Sequence, residues 1–119
     1  MHNYRELNIW KRPIKIAVEV YKVSAVFPSS ERYEITSQVK RAVVSVASNI
    51  AEGAGRNTDK EFNHFLGIAI GSSFEVYTQL VIAGELGLIK IEILEPLLTE
   101  LEEIQKMIRG FKEKLNINN

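Results

Sequence analysis

The sequence predicts an all-α protein, an antiparallel up-down four-helix bundle built as one domain over residues 1–119. Three observations carry this reading. Four segments repeat apolar residues at steps of three and four, the period of a helix with one buried face. Glycine, proline and capping residues separate the segments at short intervals, which makes neighbouring helices pack antiparallel. No segment alternates apolar and polar residues for long enough to form a half-buried strand.

The first helix is expected over about 9–26, starting at Asn8 or Arg12, with Trp10, Ile14, Ala17 or Val18, and Tyr21 on its inner face. Pro13 then belongs to the first turns, where a missing N–H is tolerated. Phe27-Pro28-Ser29-Ser30 ends the helix, because the residue before a proline is pushed out of α geometry. The second helix, about 36–53, starts at Thr36 as N-cap and buries Val39, Val43, Val46, Ala47, Ile50 and Ala54. Gly53-Ala54-Gly55 is read as its stop, glycine taking positive φ without a Cβ clash. Thr58-Asp59-Lys60-Glu61 forms a capping box that opens the third helix, about 58–87. That helix carries Phe62, Phe65, Leu66, Ala69, Ser73, Val76, Leu80 and Ala83 on one face and ends at Gly87. The fourth, about 91–115, repeats Ile93, Leu97, Leu101, Ile104, Ile108, Phe111 and Leu115 nearly as a heptad seam. Pro96 fits if this helix starts just before it; otherwise it introduces a kink. The ends, before Leu7 and after Leu115, read as loose.

An apolar fraction of 45% and a charged fraction of 25% are those of ordinary globular proteins. The absence of cysteine excludes disulfides, thiolate metal sites and cysteine nucleophiles, and agrees with a cytoplasmic location. No signal peptide is visible, and apolar stretches are broken well before the roughly 20 residues of a membrane span. Fifteen basic and fifteen acidic residues cancel, which argues against a generic polycation. Their distribution is uneven: residues 1–28 carry net +3, residues 29–57 net +1, residues 58–87 net −3 and residues 88–119 net −1.

The search for chemistry finds little. Glu61-x-x-His64 has the i, i+3 spacing of a di-iron bundle ligand pair, but such sites need two pairs, and the other histidine is His2. Gly53-x-Gly55 follows a helix rather than a strand and lacks the rest of a phosphate loop. No elbow motif singles out a serine to join His64. Neither an enzymatic activity, a metal nor a cofactor is expected.

Two constellations point to binding. Arg5, Lys11, Arg12 and Lys15 at the start of helix one, with Lys40, Arg41 and Arg56 on helix two and its turn, form a basic rim able to contact phosphates. Tyr4 and Tyr33 are the aromatic groups left to stack on bases. Asn49, Glu52 and Arg56 are read as a polar cluster that fixes register. Gly67 and Gly71 occupy a helix interior at about 1 kcal/mol each relative to alanine, which asks for a helix in close approach, from the same chain or from another subunit.

The string Arg41-Ala42-Val43-Val44-Ser45-Val46-Ala47-Ser48-Asn49-Ile50-Ala51-Glu52-Gly53-Ala54-Gly55-Arg56 resembles the signature of the proteins encoded in intervening sequences of bacterial 23S rRNA genes. Trp10, Phe27-Pro28-x-x-Glu31-Arg32, Thr36-Ser37-Gln38 and Phe65-Leu66-x-x-Ala69-x-Gly71-Ser72 extend the resemblance across nearly the whole chain. Pro13 stands where that family usually has a helix former, and Glu34 where it often has glycine. The resemblance implies a four-helix bundle and a homopentameric ring. It also implies kinship with retroelement accessory proteins that bind nucleic acid and a reverse transcriptase. Two functions follow as expectations: a self-assembling scaffold bound to ribosomal or other structured RNA, or an oligomeric adaptor for protein partners with no nucleic-acid contact.

Overall fold

The structure, a computed structural model, describes residues 2–116, apart from the side chains of Tyr33 and Asn116. Four long helices, α1 (Asn8–Ser24), α2 (Ser37–Ala54), α3 (Asp59–Glu85) and α4 (Ile91–Asn116), run up and down as a bundle 47 × 23 × 21 Å in extent. Their cyclic order is α1, α2, α3, α4, with α2–α3 the most closely packed seam and α4–α1 the loosest.

In α1 the core face is one residue out of step with the expected one. Ile9, Pro13, Ile16, Val20 and Ser24 are buried, whereas Ile14, Val18 and Tyr21 remain 39, 49 and 43% exposed. The helix has two apolar stripes about 100° apart, and periodicity alone does not say which meets the core. Trp10 and Ala17 sit at the boundary, packed against it. The helix ends at Ser24, two residues early; Val26 is exposed and Phe27 turns back into the core.

Thr36 is not an N-cap. It is itself helical (φ −60°, ψ −50°), and the chain enters α2 through a wide turn, Arg32–Thr36, whose backbone leaves helical geometry at Glu34. The Thr36 hydroxyl is buried without a hydrogen-bond partner among the described residues. The inner face of α2 is as expected, with Val39, Val43, Val46, Ala47, Ile50 and Ala54 buried.

Gly53 does not turn the chain. It lies inside α2, and Gly55 after it has φ −82°. A Cβ at Gly53 would fall 2.7 Å from Phe65 Cβ and 2.9 Å from Phe62 Cδ1. This glycine lets α2 and α3 touch. Positive φ occurs once among the described residues, at Gly87 (φ 75°). There the N–H of Leu88 donates to the Ala83 carbonyl and that of Gly87 to Gly84, the paired bonds that close a helix C-terminus.

The Glu61 N–H donates to Thr58 Oγ1 at 3.1 Å, capping α3. Glu61 Oε1 accepts from the Thr58 hydroxyl at 3.3 Å, so the carboxylate turns to the side chain rather than to the backbone of its cap. In α4, Leu97, Leu101, Ile104 and Ile108 are buried as expected, but Leu94 replaces Ile93, which is 46% exposed. The α4 helix starts five residues before Pro96 and runs through it. The Glu92 carbonyl thereby loses its usual amide donor, at an exposed position where water can serve it.

The start of the chain is tied down. The His2 N–H donates to the Ala54 carbonyl at 3.0 Å, and the ring packs against Phe62 and Phe111 with Nε2 2.9 Å from Asp59 Oδ1. Tyr4 meets Trp10 edge-on at 5.2 Å. At the other end α4 continues through Leu115 to Asn116, and residues 117–119, also expected to be loose, lie outside the described residues.

Candidate functional site

The basic residues read as one rim are separated by the fold. Arg12 faces Glu100 of α4, its Nε donating to Oε2 at 2.9 Å and its Nη2 pairing with Oε1, while Nη1 lies 3.0 Å from Met107 Sδ. The hydrogen bond to Glu100 is the main cause that pushes Arg12 above the ordinary arginine value; burial opposes it and the charges of Glu100 and Glu103 add to it. Arg12 thus clamps α1 to α4. Lys40 stands over the Tyr21 ring at 5.1 Å, and Arg41 lines a cleft between α2 and α3. Both lie near the start of α2, at the opposite end of the bundle from Arg5, Lys11 and Arg56. Arg56 bonds Glu52 at 3.0 Å and covers the Phe65 ring at 4.7 Å, and Arg5 stands over Tyr4 at 5.6 Å. Lys11 and Lys15 have no ion-pair partner among the described residues. The side chain of Tyr33 lies outside the described residues.

The fold collects charge along its long axis instead. Antiparallel packing brings the start of α1, the α2–α3 turn and the end of α4 together. When each helix is divided at its midpoint, that end holds ten Lys/Arg and five Asp/Glu, net +5; the other holds five and ten, net −5. The neutral chain is bipolar. The contribution missed from the sequence is the α4 terminus, with Lys106, Arg109, Lys112 and Lys114. The signal was available in half-helix charge sums once alternate helices were reversed.

The expected polar trio divides in two. Asn49 donates from Nδ2 to the Ser45 carbonyl at 2.8 Å and to Ser45 Oγ at 2.9 Å. Ser45 Oγ lies 2.8 Å from Ser72 Oγ of α3, so this set bridges the α2–α3 seam. Glu52 and Arg56 form the separate exposed pair already described. Beside the serines lies a cleft of about 520 Å³ lined by Gln38, Arg41, Ser45, Ser72, Glu75 and Gln79. Gln79 Oε1 is enclosed there with no hydrogen-bond partner among the described residues.

Gly67 and Gly71 face away from the bundle. A Cβ at Gly67 would meet only Lys112 Nζ, at 3.7 Å, and one at Gly71 nothing within 4 Å. Among the described residues no helix makes the close approach these glycines permit, which removes the intrachain reading. Within α3 between Phe62 and Gly84 only Glu75 is charged, and Ile68, Phe74 and Ile82 are exposed, with Arg109 of α4 standing over the Phe74 ring at 5.6 Å. By length and composition α3 is long and apolar enough to cross a membrane, with 18 residues of mean hydropathy 1.4, of which 33% are buried. The expectation that every apolar stretch is too short for this is corrected; its inner face nonetheless forms bundle core. On the opposite flank, α1 and α4 leave a groove of about 600 Å³ lined by Ile14, Val18, Val23, Ile93, Pro96 and Leu97.

Glu61 is engaged with Thr58, and His64 lies edge-on to Phe65 at 5.5 Å. Among the described residues no three His, Asp or Glu side chains gather as a metal site would require. The surfaces can therefore be described chemically as one cationic end, one anionic end and two apolar flanks.

The fold has a solved counterpart. A protein of unknown function from the S23 ribosomal protein family of Bacteroides thetaiotaomicron superposes with a TM-score of 0.82, covering 88% of this chain and 95% of that one, at 19% identity. No curated protein matches the sequence. The family model for the 23S rRNA-intervening sequence protein matches residues 5–110, nearly the whole bundle with its α2 signature, and the chain belongs to that family.

Proposed function

We propose that the protein is a cytoplasmic, non-enzymatic helical bundle that assembles with copies of itself, as a pentamer, and binds structured RNA through its basic end. The observation that carries the RNA reading is the net +5 end, where Lys11, Lys60 and Lys114 are exposed and without ion-pair partners among the described residues. Such groups neutralise phosphates and release counterions without reading bases. The family name directs the first probe to 23S rRNA. Fluorescence anisotropy with a labelled 23S rRNA hairpin should show binding that weakens steeply with salt, by about 0.7–0.9 in log K per log salt for each phosphate neutralised. Lys11→Glu with Lys114→Glu should weaken it at least tenfold, while Lys22→Glu with Lys90→Glu at the acidic end should not. Absence of binding at low ionic strength, or equal loss in both variants, sinks the proposal.

A protein-only adaptor is the second reading, favoured by the part-exposed apolar residues of α3, Ile68, Phe74 and Ile82. Capture of a defined protein partner from nuclease-treated lysate, lost on Phe74→Asp and kept on Lys11→Glu with Lys114→Glu, would support it over the first.

A further inference from the structure

We infer that the basic end holds a stacking site for one unpaired RNA nucleotide, built on the Phe65 ring, the Arg56 guanidinium and the Glu61 carboxylate. The inference rests on the RNA binding proposed above and names the feature of RNA that this end selects.

Phe65 belongs by periodicity to the core face of α3, yet it is only partly buried, while Phe62, Leu66 and Ala69 around it are enclosed. Gly53 brings the backbone of α2 against Phe65 Cβ, which fixes the ring beside the α2–α3 turn. Arg56 stands over that ring at 4.7 Å and is anchored by Glu52 at 3.0 Å. His64 meets the ring edge-on at 5.5 Å. Together with Lys60 and Glu61 these groups line a hollow of about 420 Å³. A guanidinium already held on an aromatic ring is ordered before the ligand arrives, and a base stacks on such a plane without ordering it anew.

Helix period places the remaining groups. Lys60 and His64 form one column on α3, and Glu61 and Phe65 the next, each pair four residues apart. A base on the Arg56–Phe65 stack therefore has Glu61 at its edge, and its phosphate has Lys60, exposed and without an ion-pair partner among the described residues. Lys11 and Lys114, at the same end of the bundle, remain for flanking phosphates.

The edge selects the base. Glu61 Oε1 accepts from the Thr58 hydroxyl, and an ionised carboxylate has lone pairs to spare. Guanine offers it two adjacent N–H donors on the Watson–Crick edge. Uracil offers one N–H between two carbonyls, which repel it. In a duplex the bases are stacked and paired, so neither face nor edge is free. The site thus favours an unpaired guanosine over an unpaired uridine, and either over a paired stem.

Three labelled RNA duplexes test this by fluorescence anisotropy at one salt concentration: a fully paired duplex, the same duplex with a bulged guanosine, and the same with a bulged uridine. Wild type should bind the guanosine bulge about five- to a hundredfold more tightly than the paired duplex. Arg56→Lys keeps the charge and loses the planar cation, so it should bind the paired duplex as wild type does and lose the preference for a bulge. Glu61→Gln keeps a side chain able to cap α3 and should narrow the gap between guanosine and uridine while the bulge preference stays. Both positions are exposed, and circular dichroism should show the wild-type fold. Were Arg56 on Phe65 a stabilising contact only, Arg56→Lys would lower the melting temperature and leave the preference intact. That result overturns the stack, as does equal wild-type affinity for bulged and paired duplexes, and in both cases RNA binding by the basic end stands. A uridine bulge bound as tightly as the guanosine bulge overturns the Glu61 contact. No binding of any duplex at low ionic strength overturns the stack and the RNA reading together.

Discussion

Replacing Gly53 by alanine sets two opposing effects against each other at one atom. In an open helix the change stabilises by about 1 kcal/mol, because glycine loses more backbone freedom on folding. At Gly53 the added methyl arrives 2.7 Å from Phe65 Cβ, 2.9 Å from Phe62 Cδ1 and 3.3 Å from the Phe62 carbonyl oxygen. Carbon atoms at rest stand about 3.5–4.0 Å apart, so α3 has to retreat by roughly 1 Å. Phe65 Cβ is fixed to the backbone, and no rotamer change relieves the contact. Overpacking of this kind costs about 1–3 kcal/mol, and opening the best-packed seam of the bundle places the cost toward the upper value. The net expectation is a loss of about 1–2 kcal/mol. Gly110→Ala is the control, since that site, inside α4, has nothing within 4 Å of an added Cβ, and it should gain up to about 1 kcal/mol. Urea unfolding followed by circular dichroism at fixed protein concentration should therefore separate the two variants by about 2–3 kcal/mol with unchanged slopes. A Gly53→Ala protein as stable as Gly110→Ala would refute the close-approach argument.

Thr36→Val keeps the shape of a buried side chain and removes a hydroxyl with no partner among the described residues, so stability should rise by about 1 kcal/mol in the same urea assay. Ser45→Ala leaves the buried Ser72 hydroxyl without its interhelix partner and also removes an acceptor of Asn49, and should cost about 1 kcal/mol, whereas adding Ser72→Ala should recover the part owed to the stranded Ser72 hydroxyl; a double-mutant cycle reads the difference. Arg12→Lys loses the two-pronged contact with Glu100 and should cost about 0.5–1 kcal/mol, screened because both side chains are about a third exposed. Arg12 is held above its ordinary value, so its contribution is complete at every pH below that value and lost only as pH rises past the folded one. The stability gap between wild type and Arg12→Leu should thus be flat across neutral pH in thermal melts.

The parts of this fold that were legible in the sequence are those decided locally. The α2 stripe from Val39 to Ala54, the Thr58 cap and the Gly87 stop depend on residues within one or two turns of each other. The α1 stripe was not legible, because Ile9-Ile16-Val20 and Ile14-Val18-Tyr21 have equal claims to a core until a partner helix chooses between them. Gly53 was misread for a related reason: a glycine at a helix end signals a turn, and its contact with Phe62 and Phe65 is visible only once α3 has folded back. The spatial spread of the basic groups was hidden for the same reason. Arg12 is held by a residue 88 positions away, and the α4 lysines join the cationic end only through antiparallel packing.

Five charges of each sign gathered into the two halves of a 47 Å body make an electric dipole. Its moment is on the order of several hundred debye, against ~3.5 D for one peptide unit, and the antiparallel helices' own dipoles largely cancel. The isoelectric point of about 6.7 conceals this, since it reports only the sum. At physiological salt, where fields decay over about 8 Å, a polyelectrolyte arriving at one tip meets that pole and scarcely feels the other. The molecule should consequently be retained by anion and cation exchangers alike near its isoelectric point, and it should turn the same tip toward any strongly anionic surface.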